Sequence, residues 1–223
     1  MQYLYHKEAG TPTLTLKGDE YKYIFKVRRH KLDELIPIRN LIDQNIYFYK
    51  IVYLNRQEAN LVLQESRELV IKANRELNIG WCVIEAKNIE RTLPTLNELG
   101  VNSITFIYCK RSQKNFRLDF KRLNKILINS SQQCGRSELM ELKALDSLDE
   151  FLDSYPDSYM LNFSENRVSD NLDNINSIVV GCEGGFSKDE VELFDKSKIV
   201  GFNTPLILKS QSAVCSVASK ILI

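Results

Sequence analysis

The sequence predicts an α/β chain with a small β-domain at its N-terminal end, on three observations. Up to about residue 70, short runs rich in β-branched and aromatic residues ("TLTL", "IYFYKIVYL", "EANLVLQE") are separated by polar turns. From about Leu77, strand-like and helix-like segments alternate, the pattern of a mainly parallel sheet covered on both faces. Between Val179 and Glu190, "VVGCEGGFSKDE" joins an apolar run to a helix start through three glycines in five positions.

Taken in order, the N-terminal runs read as a small β-barrel or sandwich over 1–70. Among them, "YKYIFKVRRHK" places Tyr21, Ile24, Phe25 and Arg28 at helical spacing, which predicts a short helix displaying cations beside the strands. The charged stretch "ESRELVIKANREL" is the expected linker, and 71–223 the expected second domain. There "IGWCVIEA" reads as a strand and "IERTLPTLNELG" as a helix stopped by Gly100. Pro94 should kink that helix or mark its true start. "SITFIYC" reads as a buried strand, and "RLDFKRLNKILINSSQQCG" as a long amphipathic helix stopped by Gly135. Strands at "SYMLNFS" and "INSIVVG" follow, then a helix from Ser187, a short strand "KIVGF", and a last helix from about Ser210.

The 223 residues suffice for one large domain or a small and a mid-sized one. No apolar run is long enough to cross a bilayer, and "MQYLYHKEAGTP" has no basic segment leading into an apolar one, so the expected address is cytoplasmic. The five cysteines are scattered, without a Cys-x-x-Cys pair and with only two histidines, which predicts free thiols and no metal site. A net charge of +1 conceals a local excess. Lys110, Arg111, Lys114, Arg117, Lys121, Arg122 and Lys125 stand against Asp119 alone, and "FKVRRHK" forms a second cluster. A solvated helix face is the common outcome of such a run, but two clusters also suit a polyanion such as RNA.

The glycine segment is a strand, a turn and a capped helix: Ser187 as N-cap with Glu190 three residues on is a capping box. Ligands of open α/β sheets sit at strand C-termini of this kind. A P-loop would need glycine where Phe186 stands, followed by lysine, and the spacing of Gly181, Gly184 and Gly185 does not fit G-x-G-x-x-G. Glu183 would repel an anion and attract a cation. The segment "NTPLILK" before the last helix reads as a pocket wall, and that helix carries small residues with an apolar stripe of Val214, Val217, Ile221 and Leu222.

"ELGV" at 98–101, Arg111 with Ser112, "QQCGR" at 132–136, "GCEGGFSKDE" at 181–190 and "PLILKSQSA" at 205–213 resemble, in order and spacing, the ribosomal RNA small subunit methyltransferase E family. The resemblance covers nearly the whole chain. It implies an N-terminal PUA-like β-barrel over 1–70 that binds RNA and a SPOUT-class α/β domain over 71–223 with a trefoil-knotted C-terminus. It also implies a homodimer, S-adenosyl-L-methionine as cofactor, and methylation of N3 of a uridine in 16S ribosomal RNA of the small subunit.

On the same resemblance, Gly181, Cys182, Gly184 and Gly185 would border the cofactor, with Leu206, Ile207 and Leu208 around adenine. Leu161 and Asn162 would form a further loop, and Ala213 would lie at the start of the last helix. Arg111 and Arg136 match the family's arginine positions and would face RNA, and Arg28, Arg29, Arg117 and Arg122, from the two basic clusters, would add further RNA contacts. By residue type and loop position, Lys209 or Arg136 would stabilise negative charge developing on the base, with Glu183 a weaker candidate base. The chain departs from the family's usual "GPEGG" at Cys182 and from its usual "LGPRILRTETA" at Leu206, Lys209 and Gln211. Two competing readings are a non-catalytic ribosome-assembly factor on the same fold and an enzyme for another RNA position.

Overall fold

The computed structural model describes residues 1–112 and 117–223; Lys114 of the Lys110–Lys125 basic cluster lies outside them. The chain divides into two compact units, 1–72 with 128–139, and 73–127 with 140–223.

The first unit is a five-stranded sheet in the order β1-β3-β4-β5-β2, from β1 (Leu4–Tyr5), β2 (Thr13–Lys17), β3 (Ile36–Arg39), β4 (Asn45–Leu54) and β5 (Glu58–Glu68). β1 runs parallel to β3 and the other pairings are antiparallel. The alternation of "TLTLK" buries Leu14 and Leu16 against Ile36, Ile38, Tyr49 and Leu61. The predicted cation-bearing helix is α1 (Gly18–Lys22), which continues as a wider turn over Tyr23–Val27 and buries Tyr21 and Ile24. β5 runs on through Glu68, so the first residues of the expected linker are strand; 69–77 lie outside helices and strands.

Arg39, the last residue of β3, is fully buried, its guanidinium donating to the carbonyls of Gln44, Asn45 and Leu69. Burial pulls its pKa down from the usual guanidinium range, and backbone acceptors offset the desolvation.

The second unit is a six-stranded sheet in the order β11-β9-β10-β6-β7-β8, with every pairing parallel. Its strands are β6 (Asn78–Cys82), β7 (Ser103–Ile107), β8 (Glu141–Leu145), β9 (Tyr159–Leu161), β10 (Ser177–Val180) and β11 (Ile199–Val200). β7 and β10 are buried at every position, as parallel strands covered on both faces must be. The helices are α2 (Ala86–Leu99), α3 (Phe120–Cys134), which crosses from one unit into the other, α4 (Leu148–Ser154), α5 (Lys188–Glu192) and α6 (Ser210–Leu222).

Pro94 lies inside α2 rather than at its start, and Gly100 closes that helix at a φ of 94°. The expectation of five free thiols fails for two: Cys82 and Cys109 are joined in a disulfide. The parallel register explains the encounter, because Cys82 pairs with Ile107, the last residue of β7, and Cys109 follows two residues later. Cys134, Cys182 and Cys215 are free. Among the described residues, no helix is long and apolar enough to cross a membrane, and no group of three metal-ligating side chains occurs.

Candidate active site

β10 lies between β6 and β9, so the sheet builds outward in opposite directions from this point. Crevices open at the carboxyl ends of strands where the order reverses. Here a pocket of about 610 Å³ forms where Leu161 ends β9, Val180 ends β10, and Gly201 follows β11. That is the size range of small-molecule sites.

All ten residues expected to border a cofactor line it: Leu161, Asn162, Gly181, Cys182, Gly184, Gly185, Leu206, Ile207, Leu208 and Ala213. Glu183 and Lys209 line it too. Arg136 does not: it belongs to the first unit, is 5% exposed, and accepts a hydrogen bond at its carbonyl from the Tyr3 hydroxyl at 2.7 Å. Burial pulls its pKa down, against the opposing pull of Glu138. Tyr3 is buried in the same place, and its phenol is pushed well above the ordinary range chiefly by that burial.

The glycines are needed for two different reasons. At Gly181 and Gly184 the space of a side chain is already filled by the protein itself. A Cβ on Gly181 would meet the Phe186 ring at 3.2 Å, and one on Gly184 the Arg111 side chain at 3.3 Å. Gly185 has a φ of 65° with open space beside it, so its requirement is conformational.

The loop is further held by polar contacts. Arg111 donates to the Gly184 carbonyl at 2.8 Å, the Gly185 amide donates to the Cys182 carbonyl at 2.9 Å, and the Cys182 thiol donates to the Arg111 carbonyl at 3.2 Å. Burial pushes the Cys182 thiol up, so it stays protonated and inert as a nucleophile at neutral pH. Behind the loop the expected capping box forms, and Glu190 does more than cap. One carboxylate oxygen accepts from the Ser187 amide at 2.7 Å and the other from the Lys110 amide at 2.8 Å, tying α5 to the segment after β7.

The opposite wall is apolar and open. Leu206 is 70% exposed and Ile207 81% exposed, and Phe163, also lining the pocket, is similarly bare. Residues that the sequence reading did not single out as site residues also line the pocket: Arg167, Gly201 and Phe202. Arg167 donates to the carbonyls of Ser164 and Phe202, clamping two loops around Gly201, where a Cβ would strike the Ser164 backbone at 2.8 Å. The usable signal was Gly201 in "KIVGF", a glycine following a short strand as Gly181 does.

The expected RNA-facing arginines divide by their contacts. Arg28 stacks on the Tyr23 ring and donates to its hydroxyl at 2.6 Å; Arg111 is committed to the glycine loop; Arg122 pairs with Glu90 at 2.6 Å. Arg29 and Arg117 are exposed.

An α/β unit with a glycine-turn pocket at its strand ends follows a small β-unit, and the matches to known proteins give the class. Residues 72–222 match the family described as an RNA methyltransferase domain, and 16–64 the one described as an RNA methyltransferase PUA domain. The chain is 38% identical over 222 residues to the ribosomal RNA small subunit methyltransferase E of Helicobacter pylori, covering 98% of each, and 27% identical to that of Aquifex aeolicus, again covering 98% of each. The chain belongs to the ribosomal RNA small subunit methyltransferase E family. Its fold is shared with a structure of that enzyme from Neisseria gonorrhoeae bound to S-adenosyl methionine, at a TM-score of 0.76 and 18% identity, covering 98% of this chain and 96% of that one.

Proposed function

We propose that this chain transfers the methyl group of S-adenosyl-L-methionine to N3 of a uridine in 16S ribosomal RNA, on the assembled small subunit, in the cytoplasm and as a homodimer. The observation that carries the reading is the 610 Å³ pocket with a pinned glycine turn on one side and exposed Leu206 and Ile207 on the other. Those walls suit a ligand that is part flat and apolar, part cationic: the leucines and isoleucine would cover a purine, and Glu183 favours positive charge. The pocket offers no lysine-bearing phosphate cradle of the P-loop type.

When bound, the cofactor supplies an electrophilic methyl on a sulfonium whose leaving group needs no protonation. The chain must then position the base and manage one proton and one charge. The N3 proton passes to Glu183 or to solvent, and Lys209, on the pocket wall at the N-terminal edge of α6, offsets the negative charge that develops on the uracil. Arg136, buried and bonded through its backbone to Tyr3, is better suited to holding the first unit together than to the reaction. Arginine-to-alanine substitution at 136 that removed turnover without lowering stability would return it to the chemistry.

In this reading residues 1–70 hold RNA and 71–223 carry out transfer, with Arg29 and Arg117 among the phosphate contacts. Reversing both charges should weaken binding to small subunits and flatten its salt dependence by roughly one unit of slope per lost contact. The deciding experiment is transfer of a labelled methyl group from S-adenosyl-L-methionine to unmodified small subunits, followed by mass mapping. Label on one uridine N3 supports the reading; label on another nucleotide redirects it; tight particle binding without label replaces it with an assembly factor.

A further inference from the structure

A buried polar relay joins the two walls of the pocket. Ser210, the first residue of α6, is 4% exposed. Its hydroxyl oxygen lies 2.9 Å from the indole nitrogen of Trp81 and 2.5 Å from the carbonyl oxygen of Gly181. An indole N–H can only donate, so the Ser210 oxygen accepts from it, and the single hydroxyl hydrogen is left to donate to Gly181. The direction of the whole chain, Trp81 to Ser210 to Gly181, is thereby fixed.

The anchor of the relay is rigid. Trp81 is fully buried in β6 and lies in register opposite Val180, the residue before Gly181. Gly181 begins the glycine turn, and Ser210 directly follows the Pro205–Lys209 segment; both line the pocket. The relay is thus a polar tie between the pinned wall and the open one, made by side chains 129 residues apart in sequence.

We propose that Ser210 is a positioning residue: through Trp81 and Gly181 it sets the separation of the glycine turn and the α6 N-terminus, and so the affinity for S-adenosyl-L-methionine, without touching the transferred methyl. This rests on the cofactor reading above. It separates binding from chemistry, because misplacing the wall loosens the ligand more than it alters the electrophile.

The test is calorimetric titration of S-adenosyl-L-methionine into the full-length wild type, Ser210→Ala, Ser210→Thr and Trp81→Phe, with steady-state KM and kcat on small subunits. Ser210→Ala should raise Kd and KM for the cofactor about tenfold, with kcat changed less than about threefold. Ser210→Thr keeps the hydroxyl and should recover most of that loss; Trp81→Phe removes one donor and should fall between. A wild type that does not bind the cofactor overturns the cofactor reading and this inference with it. A wild type that binds while Ser210→Ala or Trp81→Phe stays within twofold of it overturns the inference alone. Equal losses in kcat and kcat/KM with KM unchanged would likewise overturn it, by placing Ser210 in the chemistry.

Discussion

The two walls of the pocket are built on opposite physical plans. The glycine turn from Gly181 to Phe186 is preformed, held by Arg111, the Cys182 thiol, Ser210 and the Glu190 bridge. The segment from Phe202 to Lys209 carries an internal bond from the Leu206 amide to Thr204 and leaves its leucines and isoleucine in solvent. A wall held by hydrogen bonds fixes where a ligand sits, since such bonds are directional. A wall of exposed apolar side chains supplies area to be buried when the ligand arrives, so its contribution is registered in affinity rather than in the stability of the free protein.

The comparison is broken most severely at Glu190. Its carboxylate is 5% exposed and accepts two backbone amides. Glu190→Ala removes the carboxylate acceptor from two part-buried hydrogen bonds, each worth about 1–2 kcal/mol. Urea unfolding should therefore register a loss of about 2–4 kcal/mol, and Glu190→Gln, which keeps an acceptor on one side, a smaller one. A midpoint unchanged in Glu190→Ala would mean that the glycine wall does not depend on this bridge.

Leu206→Ala and Ile207→Ala test the other plan. Because these side chains are already in water, the melting temperature of the free protein should not move. Cofactor affinity should fall by about 1–2 kcal/mol for each, from the apolar area no longer buried, which is roughly tenfold in Kd. Lost stability with retained affinity would reverse the assignment of the two walls.

How much of this was legible beforehand differs between the walls in an instructive way. "GCEGGFSKDE" and "PLILK" are contiguous, so both could be read locally, as could the capping box and the apolar strand "SITFI". What was not legible depends on distance in sequence. Trp81 with Ser210, Lys110 with Glu190, and Arg167 with Phe202 are each pairs with no local pattern. β1 is only two residues long, and β8 is a sheet-edge strand, "ELKAL", without an apolar run. α4 was overlooked although "SLDE" offers a cap, with Ser147 accepting from the Glu150 amide. The burial of Arg39 could not be inferred from composition, because backbone carbonyls rather than a carboxylate satisfy it.

A milder probe of the pinned wall is Arg111→Lys. Lysine keeps the charge but not the planar fork that reaches the Gly184 carbonyl, nor the packing of the Arg111 side chain over Gly184. Losing one such bond is worth about 1 kcal/mol, so cofactor Kd should rise roughly fivefold while binding to small subunits holds. If particle binding falls and cofactor binding does not, Arg111 faces RNA rather than the glycine turn.

The smallest expected effect is a pH dependence, and it reports on how well the glycine wall is sealed. Burial pushes the thiols of Cys182 and Cys215 up, so the native state holds those protons more tightly than the unfolded chain does. The corresponding stabilisation is fully present below the unfolded thiol value of about 8.5 and is lost as pH rises through the folded values. Melting temperatures from about pH 7 to about pH 10 should therefore decline on the alkaline side, starting near the unfolded thiol value. Cys182→Ala should shallow that decline by the share belonging to the loop, leaving the share of Cys215. It should also leave the Arg111 carbonyl without its sulfur donor, so the variant should be slightly less stable at neutral pH while being less sensitive to base. An alkaline slope identical in wild type and variant would mean that the turn opens to solvent, and that the contrast between its two walls is smaller than the hydrogen bonds indicate.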